Sequence, residues 1–478
     1  MSIAAIDQGT TGTKAYLFEE DGRVRVLARF EHAQHHPGPG RAEHDPEELL
    51  RHVRAAGEVA AKAGARVVGL ANQGETVIAF DRRTGRPIAP AIVWQDDRTR
   101  PFVEALRAQG AEDLTYRRAG LPLDPYFSAS KIRWVLDHVE EARTLLHQDR
   151  LAVGTSDAFF LWHLVGAYVT DSSTASRTSL LDLDTGDWDE ELLRLFGIPR
   201  EILPEIRPTA AAYGPLRDQP DTLLAANVVD QQAALFGHDC RKPGRMKITF
   251  GTGAFVLAHT GVTPKPVREL GILATVAWRL GDGPLEYAID GGVYNATSAV
   301  DWVKGLGLFD AYEELVVTEP PALERGVAFV PALSGLACPY WDRTAAGLWI
   351  GLGLDTDRRT MLSAVLEGIA LRTAEVVARF RNIAGEPEIL DVDGGLAKNA
   401  SFCRFFAEVT GARVRVPEFA EMTAYGAACL AARGGGLPEP PRSWRDKVYR
   451  PQRDRRGLLA RFARAIARAR GWREDDSL

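Results

Sequence analysis

A strand, a glycine-rich turn and a returning strand occur twice in this chain, about half its length apart, and no other feature constrains the fold so sharply. Residues 2–7 predict a strand, residues 8–13 a Gly/Thr turn and residues 14–19 the returning strand. Residues 246–250 then lead through Gly251, Thr252 and Gly253 into a strand over 254–259. Facing each other across a cleft, two such ribbons offer backbone N–H groups and threonine hydroxyls to a polyphosphate from both sides. That arrangement suits phosphoryl transfer.

The chain is too long for one core. At 478 residues, 45% hydrophobic and 26% charged, it predicts two or more domains. A net charge of −6 argues against a nucleic-acid footprint. Cys240, Cys338, Cys403 and Cys429 are scattered without a CxxC pair, which suits reduced thiols in the cytoplasm. The first strand begins at once, leaving no room for a secretory signal. The longest apolar run, 152–169, carries Asp157 and His163, so no membrane contact is expected.

Predicted strands and helices alternate as in an α/β protein. Asp45-Pro46-Glu47-Glu48 supplies an N-cap, a first-turn proline and first-turn acid for a helix over 49–63. Strands are predicted at 66–71, 77–81, 285–289 and 389–392, and helices at 132–146, 157–165, 295–306, 358–381 and 399–410. Asp393-Gly394-Gly395 is a strand-to-helix glycine turn that can approach a ligand closely. Gly237, Pro243 and Gly244 interrupt the pattern, which divides the chain into 1–240 and 241–448. Residues 449–478 form a basic tail with arginine and apolar residues at helical spacing. Such a helix either packs on its own domain with a solvated arginine face or touches a membrane or acidic partner.

Several motifs in order carry a resemblance. They are Asp7-Gln8-Gly9-Thr10-Thr11, Gly85-Arg86-Pro87-Ile88 leading to Ala91-Ile92-Val93-Trp94-Gln95, Asp124-Pro125-Tyr126-Phe127-Ser128 with Lys131 and Trp134, and Thr170-Asp171 with Ala175-Ser176-Arg177-Thr178. They continue with Asp230-Gln231-Gln232, Gly251-Thr252-Gly253, Pro339-Tyr340-Trp341-Asp342 and Val392-Asp393-Gly394-Gly395. Over nearly its whole length the chain resembles the glycerol kinases of the FGGY carbohydrate kinase family, whose superfamily includes hexokinase, actin and the Hsp70 ATPase. The resemblance implies two actin/hexokinase-like (ribonuclease H-like) α/β domains flanking a deep nucleotide and substrate cleft. It also implies ATP and Mg²⁺ as cofactors, a small polyol or sugar as partner, and a homodimer or homotetramer.

Read from the residues alone, Asp230 is open between a helix N-cap and a proton acceptor for an attacking hydroxyl. The resemblance implies the acceptor. Asp7 is open between a turn-initiating residue and a carboxylate that holds Mg²⁺ beside the phosphates; the resemblance implies the metal role, shared with Asp230. It further implies phosphate contacts from Thr10, Thr11, Gly12 and Lys14, with Lys14 where glycerol kinases often carry arginine, and from Gly251, Thr252 and Gly253. Nucleoside contacts fall on Thr297, Asp301, Gly395 and Asn399. Thr297 stands where Gly is usual and Asp301 where Gln is usual, which opens a change of base preference. No Walker A pattern is present.

The acceptor pocket is where the chain departs from its relatives. An Asn-Gln-Arg-Glu-Thr stretch there reads Asn72-Gln73-Gly74-Glu75-Thr76. Glu75, Trp94, Tyr126, Gln231 and Phe255 match pocket positions, but the arginine is Gly74. Losing a hydrogen bond to a charged group costs about 1.5–3 kcal/mol. Either Gly74 opens space for a larger polyol or ketose of erythritol, xylulose or ribulose type, or a neighbour such as Arg98 or Asp97 reaches into the gap. The first is the preferred expectation. A nucleotide-driven, actin-like ATPase and a catalytically silent sugar sensor are the competing classes. Residues 215–226 lack the glycine-rich loop through which some bacterial relatives are inhibited by a sugar bisphosphate, so no such regulation is expected. His32, His35, His36 and His44 resemble a metal cluster but surround Pro37-Gly38-Pro39-Gly40, a surface turn.

Overall fold

Alternating apolar strands and amphipathic helices resolve into a repeated layer. The computed structural model describes residues 2–473. Among these, one large sheet runs Ala210–Leu216, Gln219–Val229, Val67–Asn72, Ile3–Gln8, Gly12–Phe18, Val24–Glu31 from edge to edge. The other runs Leu273–Arg279, Leu285–Val293, Ala254–Gly261, Met246–Phe250, Ile389–Gly394, Arg413–Pro417, Asp446–Tyr449.

The two sheets share a design. Ile3–Gln8 pairs antiparallel with Gly12–Phe18 and parallel with Val67–Asn72, and Met246–Phe250 pairs antiparallel with Ala254–Gly261 and parallel with Ile389–Gly394. In each, the strand that enters the glycine turn is central and buried on both faces, as strands in the middle of a covered sheet must be. This is the two-domain α/β architecture expected from the resemblance.

Helices begin where the sequence marks them. Asp45 accepts from the Glu47 N–H at 2.9 Å and starts Pro46–Lys62; Asp357 accepts from Thr360 and starts Arg358–Ala384, which is buried along most of its length. Asn399 accepts from the N–H groups of Ser401 and Phe402 and caps Ala400–Thr410. One expectation fails: the single helix over 132–146 is two, Ser128–His138 and Glu140–His147, with extended backbone at Val139. The Arg143 guanidinium donates to the carbonyls of Leu136 and Asp137 freed by the break. A side chain from six to seven residues further on replaces helical bonds that regular spacing predicts.

The arginine-rich tail packs on its own domain. Helix Leu458–Ala469 buries Phe462, Ala465, Ile466 and Ala469, and the Ala346 N–H donates to the Ala469 carbonyl at 3.0 Å. Residues 474–478 of the expected tail lie outside the described residues. No helix among the described residues is long and apolar enough to cross a membrane.

The halves are joined by bare backbone. Helix Met422–Gly434 packs against Ile3–Gln8, Val67–Asn72 and Gln219–Val229 of the first sheet and against helix Asp230–Gly237. The approach is so close that a Cβ on Gly426 would stand 1.8 Å from the Ala233 carbonyl oxygen, and one on Gly237 2.3 Å from that of Met422. Only glycine admits this crossing. Gly426→Ala therefore forces the helices apart at an expected cost of about 1–3 kcal/mol, read as a lower urea midpoint than the parent's.

Candidate active site

The first glycine turn is tied to a wall of aromatic and polar side chains. The Gly9 N–H donates to the Gly12 carbonyl at 3.0 Å and closes the turn. Trp94 Nε1 donates to Thr10 Oγ1 at 3.0 Å, and Thr10 Oγ1 donates to Gln73 Oε1 at 3.3 Å. The Trp94 ring meets Tyr126 edge to face at 5.7 Å and Phe255, from the second ribbon, at 6.2 Å. One indole thus touches the first turn, Tyr126 and the second ribbon. Lys131 Nζ donates to the Tyr126 carbonyl at 2.6 Å and fixes that residue's backbone.

Glu75 sits in strained backbone. Its φ is 60°, and the Thr76 N–H donates to the Gly74 carbonyl at 2.7 Å, closing a three-residue turn around it. Such turns are rare and costly for a side-chain-bearing residue, and they cluster at ligand sites. The turn drives the Glu75 carboxylate inward, where Arg177 Nε donates to it at 2.6 Å and Arg177 Nη2 meets Asp290 Oδ2 at 3.0 Å.

Asp230 stands where these parts converge. The apolar strand Gln219–Val229 delivers it to the first position of helix Asp230–Gly237, not to the N-cap. Its Oδ1 accepts from the next N–H, that of Gln231, at 2.7 Å. Burial, then repulsion from Asp7 and Glu75, lifts its carboxyl to about 7, with Lys247 opposing. Burial likewise lifts Asp7 to about 6, offset by Lys14 and reinforced by Glu421.

Lys247, on the second ribbon and fully buried, donates to Gln231 Oε1 and, at 3.0 Å, to Thr249 Oγ1. Burial pushes its ammonium down, against the pull of Asp393, Asp230 and Asp290. For Asp393 burial acts upward, but the His238 hydrogen bond at 2.8 Å and the charges of His238 and Lys247 win and hold it low. A cation below the helix start therefore serves carboxylates from both halves.

The second turn leads to a cleft lined by Thr297 and Asp301. The Ala296 N–H donates to the Thr252 carbonyl, Thr297 N–H and Oγ1 both donate to that of Gly251, and Gly395 N–H donates to that of Phe250. Thr297, Asp301, Gly395 and Asn399, expected to contact the nucleoside, line one cleft of about 840 Å³ with Tyr312 and Arg404. The Tyr312 hydroxyl donates to Asp301 Oδ1 at 3.2 Å.

Other expectations require amendment. Lys14, expected on phosphate, forms a salt bridge with Glu421 at 3.0 Å, so a phosphate must compete with a carboxylate for it. Arg98 does not reach into the Gly74 gap, because Asp96 and Glu43 hold its guanidinium at 2.7 and 2.6 Å. A Cβ on Gly74 would meet Val229 Cγ1 at 3.3 Å, a tight approach, and Arg177 Cγ at 3.9 Å, an ordinary contact. His32 hydrogen-bonds Thr13 Oγ1 and His52, with His44 beside it. Lys247, Asp290 and the pairing of Arg177 with Glu75 escape sequence reasoning, although a lysine inside a buried apolar strand was a visible signal.

The match to known proteins covers both halves. The chain belongs to the FGGY family of carbohydrate kinases: residues 2–237 match its N-terminal domain and residues 246–435 its C-terminal domain. It is thus an ATP-dependent carbohydrate kinase. It is 42% identical to a glycerol kinase of Rhodospirillum centenum over 99% of both chains, and 41% identical to one of Thermus brockianus over 98% of this chain and 99% of the relative. A crystal structure of Plasmodium falciparum glycerol kinase with ADP superposes with a TM-score of 0.88 at 29% identity, covering 98% of each chain. A ligand-bound xylulose kinase from Lactobacillus acidophilus shares the fold, with a TM-score of 0.86 at 22% identity over 98% of this chain and 96% of that one.

Removing the buried cation tests the charge arrangement. Lys247→Met leaves carboxylates uncompensated, and breaking such a set typically costs about 3–5 kcal/mol. The expected outcome is a correspondingly lowered urea midpoint together with a kcat/KM at least tenfold below the parent's.

Proposed function

We propose that the acceptor is glycerol and that Asp230 is the general base of the transfer. The observation that carries this reading is the electrostatic coupling of the buried Asp230 carboxylate to Asp7 of the first ribbon and to Glu75, which raise it, and to Lys247 of the second ribbon, which opposes them. A hydroxyl held by Glu75 against Trp94 and Tyr126 lies where Asp230 can take its proton as the oxygen attacks phosphorus in line. A carboxyl raised toward neutrality by burial suits a base that accepts a proton and returns it to solvent.

The backbone N–H groups of both turns, with Thr10, Thr11 and Thr252, cradle the phosphate chain. Carboxylates lifted by burial and mutual repulsion suit a divalent cation, so Asp7 and Asp230 would hold Mg²⁺; when bound, it neutralises phosphate charge. Thr297, Asp301, Gly395 and Asn399 then take the nucleoside of ATP. Cytoplasmic residence fits four cysteines that are all free and buried.

Glycerol is favoured over the larger acceptors first expected from Gly74. The full-length relatives are glycerol kinases, and the space beside Gly74 is taken by Val229 and the stem of Arg177. An actin-like ATPase needs no alcohol wall, and membership in a carbohydrate kinase family sets that alternative aside.

Two measurements test the proposal. ADP release from Mg-ATP is expected to require added polyol, with glycerol ahead of erythritol, pentitols and ketopentoses in kcat/KM; a pentulose in first place would overturn the acceptor. Asp230→Asn is expected to lower kcat by about 10²–10⁴-fold while the melting temperature and ATP affinity stay near the parent's.

A further inference from the structure

Tyr126 is held by its backbone from both sides, and one of the holders depends on the other half of the chain. Its carbonyl accepts from Lys131, and its N–H donates to Asp124 Oδ1 at 2.9 Å. That same oxygen accepts from Arg343 Nη2 at 2.7 Å. Asp124 is buried, and the Lys131 ammonium is occupied by the carbonyls of Tyr126 and Phe127, at 2.6 and 3.4 Å. Among the described residues the ion pair of Asp124 is with Arg343. A buried carboxylate stripped of its cation is strongly unfavourable, and one that turned toward water would abandon the Tyr126 N–H.

Arg343 is itself tightly placed. The N–H and carbonyl of the preceding residue, Asp342, exchange hydrogen bonds with Leu336 at 2.8 Å, and Asp342 Oδ1 accepts from the N–H groups of Thr344 and Ala345 at 2.9 and 3.0 Å. The arginine-rich tail buttresses this loop: Arg470 Nε lies 3.4 Å from Asp342 Oδ2, and the Arg473 N–H donates to the Thr344 carbonyl at 2.9 Å. The Arg343 guanidinium lies over the Tyr294 ring, 4.3 Å from its centroid. Tyr294 follows strand Leu285–Val293 and abuts the second glycine turn, since a Cβ on Gly253 would stand 3.1 Å from its carbonyl oxygen. Burial lifts the Asp97 carboxyl, and Arg343 is the leading charge that opposes it. One guanidinium from the second half thus serves two carboxylates of the first.

We propose that Arg343 is a positioning residue for the polyol: by pairing with Asp124 it fixes the Tyr126 backbone, so that the polyol wall is set by a side chain of the other half seated beside the second glycine turn. The proposal rests on the polyol kinase reading, in which Tyr126 faces the substrate. Arg343 acts through Asp124 and Tyr126, whereas the proton transfer belongs to Asp230 on a separate helix. Its loss therefore falls on polyol affinity more than on the chemical step.

The test is a double-variant cycle. Steady-state kcat, KM for glycerol and KM for ATP are measured, with melting temperatures, in the parent, Arg343→Lys, Arg343→Gln, Asp124→Asn and the Arg343→Gln/Asp124→Asn double variant. Arg343→Gln strands the Asp124 charge. The double variant carries no stranded charge, and the amide oxygen that replaces the carboxylate can still accept from the Tyr126 N–H.

Arg343→Gln is expected to raise the glycerol KM by roughly ten- to a hundred-fold, with kcat and the KM for ATP moving less than about threefold. Arg343→Lys keeps a cation without the planar fork and should lose less than Arg343→Gln. Removing Arg343 in the Asp124→Asn background should move the glycerol KM by less than about threefold, a comparison that decides the matter even where Arg343→Gln fails to fold. A folded Arg343→Gln with the parent's glycerol KM, equal rises in KM for glycerol and ATP, or losses that multiply in the double variant would overturn the assignment of Arg343 and leave the kinase reading standing. A parent that phosphorylates no polyol would overturn that reading, and the role of Arg343 with it.

Discussion

Charge held out of water at the junction of two sheets governs the rest of this molecule. Glu75, Asp230, Asp290 and Asp393 gather around Arg177 and Lys247, with Asp7 acting on Asp230, and burial acts on every carboxylate to raise it and on Lys247 to lower it. Such a set survives only with close geometry, since the desolvation of each ion is repaid by short contacts or not at all. The 2.6 Å contact between Arg177 and Glu75 and the 2.8 Å contact between His238 and Asp393 are of that kind. Among the described residues Asp230 forms no direct ion pair and its carboxyl is held high, whereas Asp393, paired with His238, is held low.

Those charges come from both halves of the chain, so the halves need a fixed relation. Helix Met422–Gly434 provides it by lying directly on the first sheet and crossing helix Asp230–Gly237 through glycine against backbone. The helix that presents Asp230 is therefore braced by residues almost two hundred positions further on. Trp94 makes a second link, from Thr10 in one ribbon to Phe255 in the other. A carbohydrate kinase gains from side chains of both halves being held in register before its substrates bind, because orientation accounts for much of the barrier lowering available to phosphoryl transfer.

The two ribbons were legible because a strand, a glycine turn and a strand are local, and each turn leaves its mark in composition at Gly9, Gly12, Gly251 and Gly253. Helix starts at Asp45, Asp357 and Asn399 were legible for the same reason: a capping side chain bonds its own neighbours. The break at Val139 was not, since it depends on Arg143 satisfying carbonyls that helical spacing assigns to the next turn. Gly74 misled in a similar way. A missing side chain reads as empty space until Val229 and Arg177 are seen beside it.

By itself the sequence determined the repeated α/β design and its two glycine turns, because each is written in contiguous residues, and it singled out Asp7, Glu75 and Asp230 as candidates. Only the tertiary structure decided which cation serves which carboxylate. Arg177 and Glu75 lie about a hundred positions apart, and Lys247 reaches Gln231 from another sheet. Electrostatic partnership depends on distance and on the exclusion of water, and neither exists until the chain has closed around the cleft.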